Sequence, residues 1–240
     1  MIYIVLGMHK SGTSLIAETL HKSGINMVEL PEEYQDYKKG LKHERQSTSE
    51  INKEILRGDV WDSMRDIPTH TLLPSVKKRM EEVIAKCNKE SKDWGFKDPR
   101  TCLTYHYWKN MLPTHKIVAI YRNPAQVISH VFASCRRPDK KLIRGFKSIS
   151  NWKTYNQLLL DIVRAKGSTD ALLLNYEDFM SSQQAIDKLA NFTGKPINDA
   201  RKKDHFNFRE QHHPLLNFDI FSEKKISSLY GELEDQKEKI

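Results

Sequence analysis

The chain of 240 residues is 38 % apolar and 29 % charged, which excludes a fibrous or fully disordered protein and leaves ample length for a sizeable core. No run approaches the ~20 apolar residues of a membrane helix, so no membrane span is expected. Lys and Arg (39) outnumber Asp and Glu (31), and the net charge of +8 favours an anionic partner, unless it reflects only a solvated lysine-rich surface. Cys87, Cys102 and Cys135 form no CxxC pair and cannot all be joined, which points to a reducing compartment and buried thiols. The N-terminus has no basic segment before its apolar run, so a cytoplasmic protein without a leader is expected.

"IYIVLG", from Ile2, reads as a strand closed by glycine, and "TSLIAETLHKSG" as a helix ending at Gly24. "INMVEL" is a candidate second strand, and Pro31 to Arg45 an exposed polar loop. Helices are expected over "TSEINKEILRG" and "PSVKKRMEEVIAKCNK". "DWGFKDPR" gives a brief strand and a helix start, with Asp98 as N-cap and Pro99 first in the helix. The pattern repeats at "HKIVAIYRNP", where Asn123 caps and Pro124 follows. A long amphipathic helix over "ISNWKTYNQLLLDIVRAKG" precedes the strand of "ALLLNYEDF" and the helix of "SSQQAIDKLANFTG". Apolar strands alternating with helices predict one α/β domain over 1–240, a mostly parallel central sheet flanked by helices in three layers. The tail from about 196 is polar, and its last turns, "YGELEDQKEKI", read as a helix prone to fray.

Ligands of such a sheet bind beyond the carboxyl ends of its strands. The residues expected there are the loop "GMHKSGTS" (Gly7 to Ser14), Lys97 with Asp98, Arg122, and Tyr176 with Glu177 and Asp178. Three of these four ends carry a cation. The loop has the G-x-x-x-x-G skeleton of a P-loop, but Thr13 stands where lysine follows the second glycine, and the nearby lysine is Lys10. Backbone N–H groups and a helix N-terminus still suit an anion. Asp98 is the carboxylate that a magnesium-dependent kinase would place at a strand end, against the simpler duty of a helix cap.

Together these segments resemble the sulfotransferases that use 3′-phosphoadenosine 5′-phosphosulfate (PAPS). "GMHKSGTS" is similar to their 5′-phosphosulfate loop, "IYRNPAQVISH" to their 3′-phosphate motif, "GFKDPR" to the Lys-Asp-Pro segment of tyrosylprotein and bacterial members, and "LLLNYEDF" to their late strand. The motifs occur in family order from residue 2 to about 195. The resemblance implies a P-loop-type fold, PAPS as sulfuryl donor, and transfer without a metal to an acceptor hydroxyl on a small molecule or glycan, with no nucleic-acid partner. It places His9, Lys10, Ser11, Gly12, Thr13 and Ser14 on the phosphosulfate, with Lys10 beside the bridging oxygen. Lys97 becomes a second cation on the sulfuryl group or acceptor, and Arg122 the fork on the 3′-phosphate.

Two roles stay open. Where the hormone-type branch has a basic histidine after its lysine, this chain has Pro99. "GLKHERQSTSEINKEIL" resembles the bacterial pattern of glycine, glutamate and helix asparagine, which makes Glu44 the base and Asn52 the asparagine. His43 is the rival, and Glu29, Glu32 and Glu33 are further candidates. The 3′-phosphate hydroxyl falls at His130, with Ser129 one residue earlier and about 100° around the helix. The adenine-stacking tryptophan of the hormone-type branch corresponds to Leu15. "DHFNFREQHHP", with Arg209, His212 and His213, is a substitute for that branch's missing C-terminal basic loop. Pro31 to Arg45 and the basic segment Arg136 to Lys147 are expected to wall the acceptor site. The latter suits an acidic or sulfated glycan, or else a plain solvated loop. Rival readings are a P-loop small-molecule kinase using ATP and Mg, a basic nucleic-acid-binding protein, and an inactive nucleotide-binding relative.

Overall fold

The computed structural model describes residues 1–29, 43–57, 67–135, 137–201 and 220–239. In chain order the elements are β1 (Ile2–Leu6), α1 (Thr13–Lys22), α2 (Gln46–Ile55), α3 (Pro74–Glu90), β2 (Trp94–Lys97), α4 (Thr101–Met111) and β3 (His115–Tyr121). There follow α5 (Pro124–Ser134), α6 (Pro138–Asp170), β4 (Ala171–Asn175), α7 (Tyr176–Ser181), α8 (Gln183–Thr193) and α9 (Ile220–Lys239).

The four strands form a parallel sheet in the order β2-β1-β3-β4. Alternation along each strand divides the core into two faces. Ile2, Ile4 and Leu6 of β1 join the cluster under α2, α3, α4, α5, α6 and α9, while Tyr3 and Val5 join the one under α1, α7 and α8. This is the expected α/β arrangement of helix, sheet and helix. The chain leaves β1 toward β2 on one side and leaves β3 toward β4 on the other. The crevice between the carboxyl ends of β1 and β3 is therefore the switch point where ligands of such sheets bind.

Several expectations are corrected. "INMVEL", expected as a second strand, contributes only an isolated bridge, Asn26 to Trp94, among its described residues. His43 and Arg45, assigned to an exposed loop, are buried. The helix after β2 starts at Thr101 rather than Pro99, since the Asp98 carboxylate first closes a turn on the Arg100 N–H at 2.9 Å. The basic segment after residue 136 is the start of α6, which continues to a break at Gly167 (φ 70°). The tail's helix, α9, packs on the core through Ile226, Leu229 and Leu233, 0–5 % exposed. Asn123 caps α5 through Ala125 N–H at 2.9 Å, as expected, and all three thiols are free and buried.

Candidate active site

Both glycines of the loop after β1 sit where a side chain has no room. A Cβ on Gly7 would lie 2.4 Å from the Ile120 carbonyl oxygen, and one on Gly12 would lie 2.3 Å from the Tyr176 ring. Gly12 also has φ +97°, a conformation that L-residues rarely adopt. Tyr176, at the end of β4, thus packs on the loop. Lys10 itself is held at φ 71°, sparsely populated for a long side chain, and its carbonyl accepts a hydrogen bond from Arg122 Nη1 at 3.3 Å. No side chain caps α1 at Gly12, and its first turn has no acidic residue, so its positive end stays open to an anion. The Ser11 hydroxyl beside it is buried without a hydrogen-bond partner among the described residues.

On the β2 side, Lys97 Nζ lies 3.2 Å from Ser14 Oγ and in ion-paired contact with Glu44. Lys97 is 1 % exposed and Glu44 10 %, so the pair is buried together. Burial, opposed by the Lys97 ammonium, lifts the Glu44 carboxyl above its ordinary range. The residues on either side fix this glutamate. Arg45 donates to Gly95 O and Asn26 O, both at 2.8 Å, and lies over Trp94. The His43 ring faces His21, centroids 5.7 Å apart, near the C-terminal end of α1. With ~1.5 Å rise per residue along α1, that end lies more than a turn away from the loop. The structure therefore brings Glu44 to Lys97 and places His43 elsewhere.

Asn52 is the tie behind this pair. It donates to Asp98 Oδ2 and Thr101 Oγ1, each at 3.0 Å, and accepts from Thr104 Oγ1 at 2.7 Å and Trp108 Nε1 at 2.8 Å. Asp98 is fully buried and also accepts from Arg100 Nε at 2.9 Å, while Arg100 donates to Ser49 Oγ at 2.9 Å. α2, which carries Glu44 at its entry, is thereby bolted to β2 and α4. Glu29 contacts the Ser47 hydroxyl and accepts from Ser47 N–H at 3.1 Å, so it caps α2. Glu32, Glu33, Arg136, Arg209, His212 and His213 lie outside the described residues.

On the β3 side, Arg122 lies 4.2 Å over the Tyr176 ring, donates to Gln126 Oε1 at 2.9 Å and stands 3.6 Å from Glu177. Burial, opposed by Arg122, raises the Glu177 carboxyl. Of the two neighbours on α5, Ser129 has its hydroxyl buried with no partner among the described residues, whereas His130 is exposed. Burial and then the charges of Lys10 and Arg122 lower the His130 pKa, so these three groups share one electrostatic site. His9, part-buried in the loop, is pushed down to about 4 by burial, with Arg100, Lys97 and Lys10 adding and Asp98 opposing; it is neutral at pH 7.

No local pattern pointed to Tyr176 as the plate under Arg122, nor to Arg45 as the pin beside Glu44. Both depend on contacts between distant segments.

The fold is that of an α/β protein, with an uncapped helix end and the cations Lys10, Lys97 and Arg122 around the crevice of a parallel sheet. The chain belongs to the sulfotransferase family, whose pattern it matches over residues 3–199, and its activity is sulfotransfer. No curated protein matches the sequence. Among solved structures the fold is similar to the sulfotransferase domain of the olefin synthase of Synechococcus PCC 7002, at 17 % identity, TM-score 0.54, and coverage of 99 % of this chain and 93 % of that one. It is likewise similar to the sulfotransferase domain of the curacin biosynthetic pathway, at 14 % identity, TM-score 0.57 and coverage of 95 % and 97 %. A sulfotransferase from Alicyclobacillus acidocaldarius follows at 13 % identity, TM-score 0.50 and coverage of 99 % and 96 %. At these identities the likeness is one of fold.

Proposed function

We propose that the chain transfers a sulfuryl group from PAPS to an acceptor hydroxyl. The observation that carries this reading is the Lys97–Glu44 pair on Ser14, at the open end of α1, with Lys10, Arg122 and His130 on the other side of the loop. The residues fit the donor: the buried, unpartnered hydroxyl of Ser11 and the open helix end suit its 5′ anionic end, and Arg122 with His130 suits a 3′-phosphate. PAPS supplies the sulfuryl group on a phosphate leaving group.

Each residue then has a defined task. Lys10 and Lys97 stabilise the negative charge that builds up on the departing and transferring oxygens, preorganised by the loop and by Ser14. Glu44, as a carboxylate, accepts the acceptor hydroxyl's proton, and the Lys97 ammonium beside it opposes the upward effect of burial on that carboxyl. His130, rather than Ser129, donates to the 3′-phosphate, because it is exposed and senses Lys10 and Arg122. Asn52 and Asp98 hold the pair's framework and touch no reactant.

Calorimetric titration tests the reading. Adenosine 3′,5′-bisphosphate (PAP) without magnesium should bind at least about tenfold more tightly than ATP with magnesium, a gain expected of one charge-assisted fork. Tighter ATP binding would replace this reading by a small-molecule kinase.

A further inference from the structure

Further along α6 the buried side chains are apolar, among them Trp152, Leu159 and Val163, but its opening turns are built the other way round. Gly145, Ser148 and Ile149 are buried there, whereas Leu142, Ile143 and Phe146 are 59 %, 58 % and 47 % exposed. They are three of the six large apolar residues exposed among the described residues; the other three, Met1, Ile67 and Leu73, lie elsewhere in the chain. At ~100° per residue, Leu142, Ile143 and Phe146 fall within about 100° of one another around the helix. Single exposed apolar residues are ordinary, but a cluster on one helix face marks a contact with another surface.

The charge around this cluster identifies the kind of surface. Between Pro124 and Leu160 the chain has one acidic residue, Asp139, and it is paired with Arg137 at 3.0 Å. Lys140, Lys141 and Arg144 form no ion pair among the described residues. Lys140 and Arg144 flank the apolar face on one side, and Lys141, on the other, lies 5.1 Å over the ring of Phe132 on α5. The position of the cluster is also defined. Trp152 donates to the carbonyl of Arg122, just past the carboxyl end of β3, at 3.0 Å, and α6 then runs back to the amino end of β4. Leu142 and Phe146, ten and six residues before Trp152, therefore stand ~15 and ~9 Å further along the helix, on the side of the glycine loop. Arg144, in the same turns, lines a small cleft with Met8 and His9 of that loop.

We propose that the opening turns of α6 are a membrane-contact surface, on which Leu142, Ile143 and Phe146 enter the boundary of an anionic lipid layer while Lys140, Lys141 and Arg144 reach its phosphate headgroups. An outward apolar helix face with cations beside it and almost no acid is the composition that lies in a lipid interface. The lysine and arginine stems extend the apolar contact and carry their charges to headgroup level. Docking in this way sets the crevice side of the sheet toward the lipid, and it does not depend on the donor assigned to the crevice.

The test is co-sedimentation of the full chain with vesicles of phosphatidylcholine alone and of an equal mixture of phosphatidylcholine and phosphatidylglycerol. Binding to the mixed vesicles should be at least about tenfold tighter and should weaken as salt is raised. The triple variant Leu142→Ser, Ile143→Ser, Phe146→Ser keeps every charge and should weaken that binding about tenfold or more. The variant Lys140→Gln, Lys141→Gln, Arg144→Gln should remove the preference for anionic vesicles. All six side chains are at least partly exposed, and circular dichroism checks that both variants fold. Equal binding to the two vesicles, or none to the anionic ones, would overturn the proposal. Binding that survives the serine variant would also overturn it, leaving only a general effect of the +8 net charge. A dimer in sedimentation velocity that the serine variant abolishes would instead assign the cluster to a second copy of the chain.

Discussion

On the β2 side of the glycine loop the cation is Lys97, 1 % exposed and in contact with a carboxylate; on the β3 side it is Arg122, 18 % exposed, stacked on Tyr176. Lys97 and Glu44 are buried as a pair, in a framework where Asn52 and Asp98 have their polar groups satisfied. Around Arg122 charge is less evenly balanced: Lys10 shares the site, the two cations hold the His130 pKa down, and Glu177 stands 3.6 Å from Arg122. In the proposed reaction the difference separates two jobs. A group that must move a proton needs a fixed, dry geometry with its charge balanced. A group that must capture a permanent anion profits from unbalanced charge, open to solvent, that the ligand itself neutralises.

The largest effect should come from breaking the balanced side. Glu44→Gln should lower turnover about 10²–10⁴-fold, the range for a lost general base, with PAP affinity within about twofold. In the unaltered protein the acid limb of the rate profile should fall at a pH above the ordinary carboxylate range, since burial raises the Glu44 pKa and the base is lost as it protonates. A profile unchanged by the substitution would remove Glu44 from the chemistry.

Next comes the framework. Asn52→Ala strands the Trp108 N–H and an Asp98 oxygen, and should cost about 2–4 kcal/mol in denaturant unfolding, with each stranded buried group worth ~1–3 kcal/mol at most. Disruption on the open side should spare the fold. Arg122→Ala should weaken PAP about 10–100-fold and ATP little, and an equal loss of both would count against a 3′-phosphate contact.

The smallest effect sharpens the comparison. Burial and two cations depress the His130 pKa in the free protein, so a bound phosphate should raise it and PAP binding should take up protons near neutral pH. Affinity should then rise as pH falls through that window. His130→Gln should lower affinity only a few-fold and reduce the uptake, measured by calorimetry in buffers of different ionisation enthalpy. Uptake unchanged in the variant would move the contact away from His130.

Much of the scaffold was legible in the residues. Apolar runs closed by Gly7, Lys97, Arg122 and Asn175 marked four strands, and Pro124 after Asn123 marked a helix start, because these signals act within a few residues. The cations at the strand ends followed once the sheet was taken as parallel. "INMVEL" misled because an apolar run carries no sign of which neighbour will pair with it. The polar character of the tail gave no hint that Ile226, Leu229 and Leu233 of α9 would join one face of the core.

The sequence by itself determined the order of the elements, the gathering of cations at the strand ends and a short list of candidate groups for the proposed chemistry. Local backbone preference and side-chain type decide those. Only the tertiary structure set Glu44 on Lys97 and its chain neighbour His43 against His21, and left His130 exposed while burying the hydroxyl of its helix neighbour Ser129. It also turned a basic run that read as a solvated loop into the opening turns of α6. Neighbours in sequence differ in role according to which distant segment packs against them, and that packing is fixed by burial across the whole sheet rather than by any local pattern.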